Sequence, residues 1–538
     1  MRKIFYSALI AAGLLTFTSC ESWLDVNTNP NGPDRLEQPD LFLPQVQAAL
    51  GVGIQWDGRF TGFYTQMWTF TGVDYALDLH ANPLSDTYAT LWRNVYWNMG
   101  VGLSDMIENA ERNKKYDFAG VGYIMRAWGW QLLTDYHSDI IVSQAFEPGR
   151  NSFDYDSQEF VYEEIQRLLK LGIQNLERTD GLSPDDSGLA AADYIYQGDR
   201  GRWIKLAYGL LARNAHRLTN KSSYDPNEVI GYVDKSLASN ADDAFIRFEG
   251  TVSANTSFFG PLRNNIGSYR QTDFIVRLLG GNEEVLNPAL SDPNATDPYY
   301  EGEHLRDPRL TAMLAPSPAD SLYRGLTPAQ GIGEWTAGSG QRPNTFWNTT
   351  SGNAVDPSAG QIYFFGNAEP FPLMTYAELQ FVKAEAEWIK AGKAPSAQAL
   401  EAYKNGVTAH MGYARQFAAD KALYDERMAA YLESDVLVPD AASGLTLSKI
   451  MLQKYIATWG WGFFETWSDM RRYHYTEGGA YAGFELPQEL AAANEGVPAY
   501  RGRPRFNSEY MWNKAALDAI GGNDPNYHTY EMWFSKPE

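Results

Sequence analysis

Apolar residues return every three to four positions along two long stretches of this chain, separated by a stretch where they do not. Residues 91–111 and 118–134 predict an antiparallel helix pair joined by a polar connection at 113–117. Helical spacing continues through Phe160, Ile165, Leu168, Leu169 and Ile173 in 157–176. It runs on through Trp203, Leu206, Leu210 and Leu211 in 202–218, and more briefly over 227–237. After Pro372, one helix face carries Tyr376, Leu379, Val382, Ala386 and Ile389; Gly392 ends it and 397–411 supplies the partner. Leu447, Met451 and Tyr455 are each four apart, and 459–473 completes a further pair. Successive antiparallel pairs predict an all-α fold with tetratricopeptide-type packing, although no clean period of about 34 residues is visible.

Between about 249 and 372 the pattern breaks. Gly260-Pro261, Asp292-Pro293-Asn294, Asp297-Pro298, Gly338-Ser339-Gly340 and Asp356-Pro357 punctuate it, predicting a long loop-rich insertion. Tyr299, Tyr300, Trp335, Phe346, Trp347, Tyr363, Phe364 and Phe365 make it too apolar for a disordered tract, and irregular regions of this length commonly carry binding. The start reads differently again. Arg2 and Lys3, the apolar run 4–17 and Thr18-Ser19 predict a signal peptide over 1–19, too short to span a bilayer. Asn27, Asn29, Pro30, Asn31, Gly32 and Pro33 predict a turn-rich tether over 20–40, leaving 41–538 as a single domain.

Cys20 is the one cysteine in 538 residues. Placed directly after a signal peptide, it reads as a lipobox cysteine, with Phe17 where Leu is usual; acyl chains on it would make an effectively permanent membrane anchor. A formal charge of −22 disfavours nucleic acid, which needs clustered Lys and Arg, and disfavours anionic ligands unless a local patch reverses the field. Aromatic residues make up 14%, with 16 Trp and 33 Tyr, enough to provide stacking surfaces beyond the core. Catalytic signatures are absent. His80, His137, His216, His304, His410, His474 and His528 have no metal-ligand spacing, and there is neither an H-E-x-x-H nor a G-x-S-x-G motif. Asp154-x-Asp156-x-Gln158 lacks the Gly and Glu of a calcium loop and reads as the acidic turn before a helix. No metal or cofactor is expected. A helical-barrel glycoside hydrolase stays open as the enzyme alternative, because 66 Asp and Glu leave room for a carboxylate pair.

Several segments, in order along the chain, resemble the SusD/RagB outer-membrane nutrient-binding lipoproteins. Cys20-Glu21-Ser22-Trp23-Leu24-Asp25 is similar to the family's lipidated start. Leu133-Thr134-Asp135-Tyr136-His137-Ser138-Asp139 resembles its L-T-D-x-Y-G-D helix end, with His137 and Ser138 in place of Tyr-Gly. Trp203 to Arg217 is similar to its Trp- and Arg-bearing helix. Tyr376-Ala377-Glu378-Leu379 with Lys383-Ala384-Glu385-Ala386 resembles R-Y-A-E-V-x-L-x-x-A-E-A, with Thr375 in place of Arg. Gln453-Lys454-Tyr455 and Glu465-Thr466-Trp467-Ser468-Asp469-Met470-Arg471-Arg472 resemble its W-S-D-x-R-R region. These motifs read as architecture: Glu378 and Glu385 face one way two turns apart, and Asp469, Arg471 and Arg472 stand ready to pair with them or cap neighbouring helices.

The resemblance implies binding without turnover. The chain would capture an oligosaccharide, or alternatively a peptide, at the cell surface and deliver it to a SusC-like TonB-dependent barrel. It also implies ligand sites in loops of the N-terminal half and the irregular middle. Candidates there are Trp56, Arg59, Trp68, Asp74 and Tyr75, then Asn264, Asn265, Tyr299, Trp335 and Trp347.

Overall fold

The computed structural model describes residues 38–72, 86–280, 307–331, 340–350, 361–435, 437–487, 490 and 494–537. Helices of eight residues or more are numbered here in chain order. They are α1 (Leu43–Tyr64), α2 (Val101–Arg112), α3 (Tyr116–His137), α4 (Gln158–Leu176), α5 (Arg200–His216) and α6 (Pro226–Val233). Then come α7 (Asp273–Gly280), α8 (Tyr376–Lys390), α9 (Ala397–Ala414), α10 (Lys421–Glu433), α11 (Leu447–Thr458) and α12 (Phe463–Arg472). The fold is all-α. Among the described residues, its strands form two antiparallel ribbons: β1 (Trp68–Phe70) with β3 (Tyr269–Gln271), and β2 (Ala244–Ile246) with β4 (Phe371–Met374).

The helices stack as the apolar spacing predicts. α2 lies on α3, α3 on α4, α4 on α5 and α5 on α6; the stack continues through α8, which packs on α6, α9 and α11. Small residues set the closest approach: a Cβ added at Gly120 of α3 would stand 2.8 Å from the Gly172 carbonyl oxygen of α4. Starts are fixed by side chains that accept an orphan backbone N–H, Ser157 for α4, Asp199 for α5, Ser396 for α9, Asp420 for α10 and Thr446 for α11. Thr375, where the resembling motif has Arg, accepts from the Glu378 amide and caps α8. Asp156 also acts locally, accepting the Val142 and Ser143 amides at 2.8 Å each just before α4.

Buried charge ties the stack together. Arg213 of α5 grips Glu378 of α8 through two hydrogen bonds of 2.7 and 2.6 Å. Arg472 of α12 pairs with Glu385 (2.8 Å) and Asp469 (2.7 Å), Lys454 of α11 reaches Asp469 at 2.6 Å, and Arg217 pairs with Glu465 and Asp135. The α12 end both pairs and caps as expected, with Arg472 on Glu385 and Arg471 on the last turn of α3, while Glu378 is held elsewhere. Glu378 partners Arg213 instead of the α12 end. Arg471 pairs with no carboxylate among the described residues, donating instead to the Trp467, Tyr500 and Asp135 carbonyls while lying 4.0 Å over the Trp467 ring.

Helix α1 was not foreshadowed by amphipathic spacing, because both its sides are buried. Its glycines admit neighbouring rings: a Cβ at Gly58 would meet Phe463 at 2.2 Å and one at Gly62 would meet Trp68 at 2.6 Å. Helix α10 was likewise unread. The aromatic middle is partly core, since Phe346, Trp347, Tyr363, Phe364 and Phe365 are all buried.

Candidate functional site

Helix α1 presents Trp56 and Arg59 one turn apart on the side that faces residues 258–265. They therefore stand on a helix rather than in a loop. The Arg59 guanidinium lies 4.7 Å from the Trp56 ring centroid and 5.0 Å from those of Phe60 and Phe258, and Trp56 meets Phe258 at 5.2 Å. Backbone groups fix both side chains. Trp56 Nε1 donates to the Thr87 carbonyl at 3.0 Å, and Arg59 donates to the Trp56 carbonyl at 3.2 Å and the Asn265 carbonyl at 3.4 Å. Burial lowers the Arg59 pKa, with Tyr269 and Asp57 opposing that shift.

Opposite them, Asn265 Nδ2 donates to the Phe258 carbonyl at 2.9 Å, closing the loop on itself. Asn264 has a left-handed φ of 52°, which Asn tolerates better than most residues. Its side-chain oxygen is buried with no hydrogen-bond partner among the described residues. Of the sequence candidates, Trp56, Arg59, Asn264 and Asn265 thus come together.

Trp68 and Trp347 stand directly behind this cluster, fully buried. Trp68 Nε1 donates to the Arg59 carbonyl at 2.9 Å and its ring packs on Phe259, Phe346 and Phe463; Trp347 Nε1 donates to the Phe259 carbonyl at 2.9 Å. Neither offers a ring face to solvent; both brace the backbone of the cluster from within. Cys20, Asp74, Tyr75, Tyr299 and Trp335 lie outside the described residues.

The β1–β3 ribbon extends the site. Phe63, Phe70 and Tyr269 pack with centroids 5.3 and 5.7 Å apart, and the 326–331 loop is stitched to the ribbon through Leu326 to Gln271 (3.0 Å) and Ala329 to Thr69 (3.3 Å). Beside that loop opens a basin of about 650 Å³ lined by Gln66, Asp273, Arg277, Thr327, Gln330 and Glu485. Asp273 pairs with Arg277 at 2.6 Å, and Gln66, at φ 52°, donates to the Glu485 carbonyl. Volumes of this size suit small ligands.

Sequence reasoning missed two supports. Asp57, buried beside Trp56, accepts from the Leu91 amide at 2.7 Å and the Thr90 amide at 3.3 Å, clamping the 90–91 backbone to α1. Burial pushes its pKa up to about 7 despite those bonds and Arg59. Arg270, buried without a carboxylate, donates to the Pro343 carbonyl at 2.9 Å and anchors the 340s against β3; burial and then Arg342 push it down to about 9. A lone Asp or Arg in sequence carries no signal of either role. Among the described residues, no three His, Cys, Asp or Glu gather as metal ligands, and no helix is long and apolar enough to cross a membrane.

Aromatic rings, a guanidinium and two amides thus gather on α1 and the 258–265 loop, with a polar basin along the β1–β3 ribbon. The family model described as starch-binding and associating with the outer membrane matches residues 43–501, and the chain belongs to this SusD-like family. Solved structures share the fold. A SusD/RagB family protein from Bacteroides thetaiotaomicron is 21% identical with a TM-score of 0.66, the match covering 93% of this chain and 99% of that one. A SusD homolog from Bacteroides fragilis is 17% identical (TM-score 0.68; 92% and 99% covered). A chitin-binding SusD homolog from Flavobacterium johnsoniae is 18% identical (TM-score 0.62; 92% and 99% covered). No curated protein sequence matches the chain.

Proposed function

We propose that the protein is a surface nutrient-binding lipoprotein, anchored through Cys20, that captures an oligosaccharide without cleaving it and passes it to a SusC-like TonB-dependent barrel. The observation that carries the ligand class is the gathering of aromatic, guanidinium and amide side chains at Trp56, Arg59, Asn264 and Asn265. A sugar ring offers C–H groups to an aromatic face and hydroxyls to guanidinium and amide groups, the residue types gathered here. Asp74, Tyr75, Tyr299 and Trp335 complete the proposed binding surface; Gly72 and Gln330, which line adjoining cavities, precede Asp74 and Trp335 by a few residues.

Calorimetry with starch-derived and chitin-derived oligosaccharides and short peptides tests this reading. An oligosaccharide is expected to bind and to be recovered intact, and Trp56→Ala or Asn264→Ala is expected to weaken it about tenfold, ~1.4 kcal/mol. Trp68→Ala should instead lower the melting temperature, as a core deletion of about 3–5 kcal/mol. Released reducing ends would overturn binding without turnover, peptide-only binding would change the ligand class, and unchanged affinity in both site variants would remove this site.

A further inference from the structure

The two most exposed large apolar side chains among the described residues are both tryptophans, Trp97 at 74% and Trp512 at 77%. They flank one feature. An open trough of about 520 Å³ is lined by Trp92, Tyr96, Trp97, Val101, Phe146 and Ser508 among others; Trp512 follows four residues after Ser508 in the same helical segment. Trp97 belongs to a π-helical turn, Asn94–Gly100, inserted between Thr90–Arg93 and α2. Such turns are rare and concentrate at functional positions. Arg93 is exposed on the same side and also lines the trough.

The first described turn, Pro39–Leu41, packs against α2 at this place. The Phe42 ring stands 3.2 Å from where a Cβ on Gly102 would be, and their chain neighbours Leu41 and Val101 are both exposed. The described chain therefore begins beside the trough's rim. Met511, next to Trp512, is exposed too.

We infer that this face rests on the lipid surface: Trp97 and Trp512 enter the headgroup layer, Leu41, Val101 and Met511 cover its apolar edge, and Arg93 engages lipid phosphate. The inference takes its orientation from the proposed anchor at Cys20. Tryptophan favours the membrane–water boundary because its ring is apolar and its N–H is not, and a guanidinium matches the phosphate geometry. The acidic body opposes approach to an anionic bilayer, so the contact is weak alone and becomes effective when an anchor holds the face close.

The test uses the lipidated chain, added from detergent to vesicles of phosphatidylethanolamine and phosphatidylglycerol whose acyl chains carry bromine as a fluorescence quencher, with unbrominated vesicles as the reference. Tryptophan emission is expected to fall on vesicle addition. The double variant Trp97→Ala/Trp512→Ala should lose most of that fall while keeping its melting temperature and its oligosaccharide affinity; the single variants serve if the double one misfolds. No quenching in the parent chain, or equal quenching in parent and variants, overturns the inference. So does loss of oligosaccharide affinity in the double variant, which would assign the trough to ligand. The anchor is read separately by fractionating Cys20→Ser cells: a chain that stays with the membrane removes the anchor and leaves the vesicle result standing.

Discussion

At the scale of single residues, the site is shaped by groups whose surroundings set their charge. Asp57 is the clearest case. Its folded pKa is raised from 3.8 to about 7, so its contribution to stability is complete below about pH 4 and declines as pH rises through 7, where an ionised carboxylate must be kept buried. Asp57→Asn keeps an acceptor for the 90–91 amides and does not titrate. Thermal melts of the two proteins between pH 4 and 8 should therefore shift in favour of the variant as pH rises; a constant gap would show that Asp57 titrates normally. Trp56 and Trp68 were indistinguishable in the sequence, each a lone tryptophan twelve residues from the other, because burial depends on what arrives from residues 258–365. Asn264 was recognisable only as a turn residue. Its empty acceptor arises from the packing around it.

Among elements, helices α5, α8, α11 and α12 are held by a shared set of buried ions rather than by apolar contact alone. Glu385 illustrates how. Burial raises its pKa, yet Arg472 and His216 hold it well below the ordinary glutamate value. His216 lies 2.9 Å away, and the Tyr473 hydroxyl donates to the same carboxylate at 2.6 Å. Glu385→Gln leaves Arg472 with one carboxylate fewer inside the stack, and denaturant unfolding should show a loss of about 3–5 kcal/mol. A loss near zero would mean that the network relaxes around neutral partners. Most helices were legible from spacing, because a half-buried helix exposes one face and conceals the other. Helix α1 was not, for the opposite reason: packed on both sides and rich in glycine, it has no polar stripe for periodicity to detect. The charged motif was legible as architecture, but its pairings were not, since helical spacing says which way Glu378 and Glu385 face and not which arginine arrives there.

On the scale of the whole molecule, two opposing pH effects meet. Glu385, Glu465 and Asp469 have depressed folded pKa values, burial being outweighed by their cationic neighbours, so their stabilisation is present above about pH 4.5 and is lost as pH falls through those lower values. Asp57 works the other way between about pH 4 and 7, and protonation also relieves a body of charge −22. The melting temperature is therefore expected to hold or rise slightly from pH 7 to about 5 and to drop steeply below about 4. A monotonic decline from pH 7 would show that Asp57 contributes little, and the absence of a drop below pH 4 would show the same of the buried network. The all-α class and the family were readable from ordered landmarks spread along the chain, each weak alone.

The C-terminal segment has one more consequence. Residues 499–535 are bound to early helices: the Phe534 amide donates to Gln158 at 3.1 Å, Asn220 donates to the Ser535 carbonyl at 2.7 Å, and Arg471 joins the Tyr500 and Asp135 carbonyls. Contacts that reach across 376 positions cannot close while the ribosome is still making the second partner. The early helices α3 and α4 therefore gain these bonds only after α12 and the segment beyond it have been made.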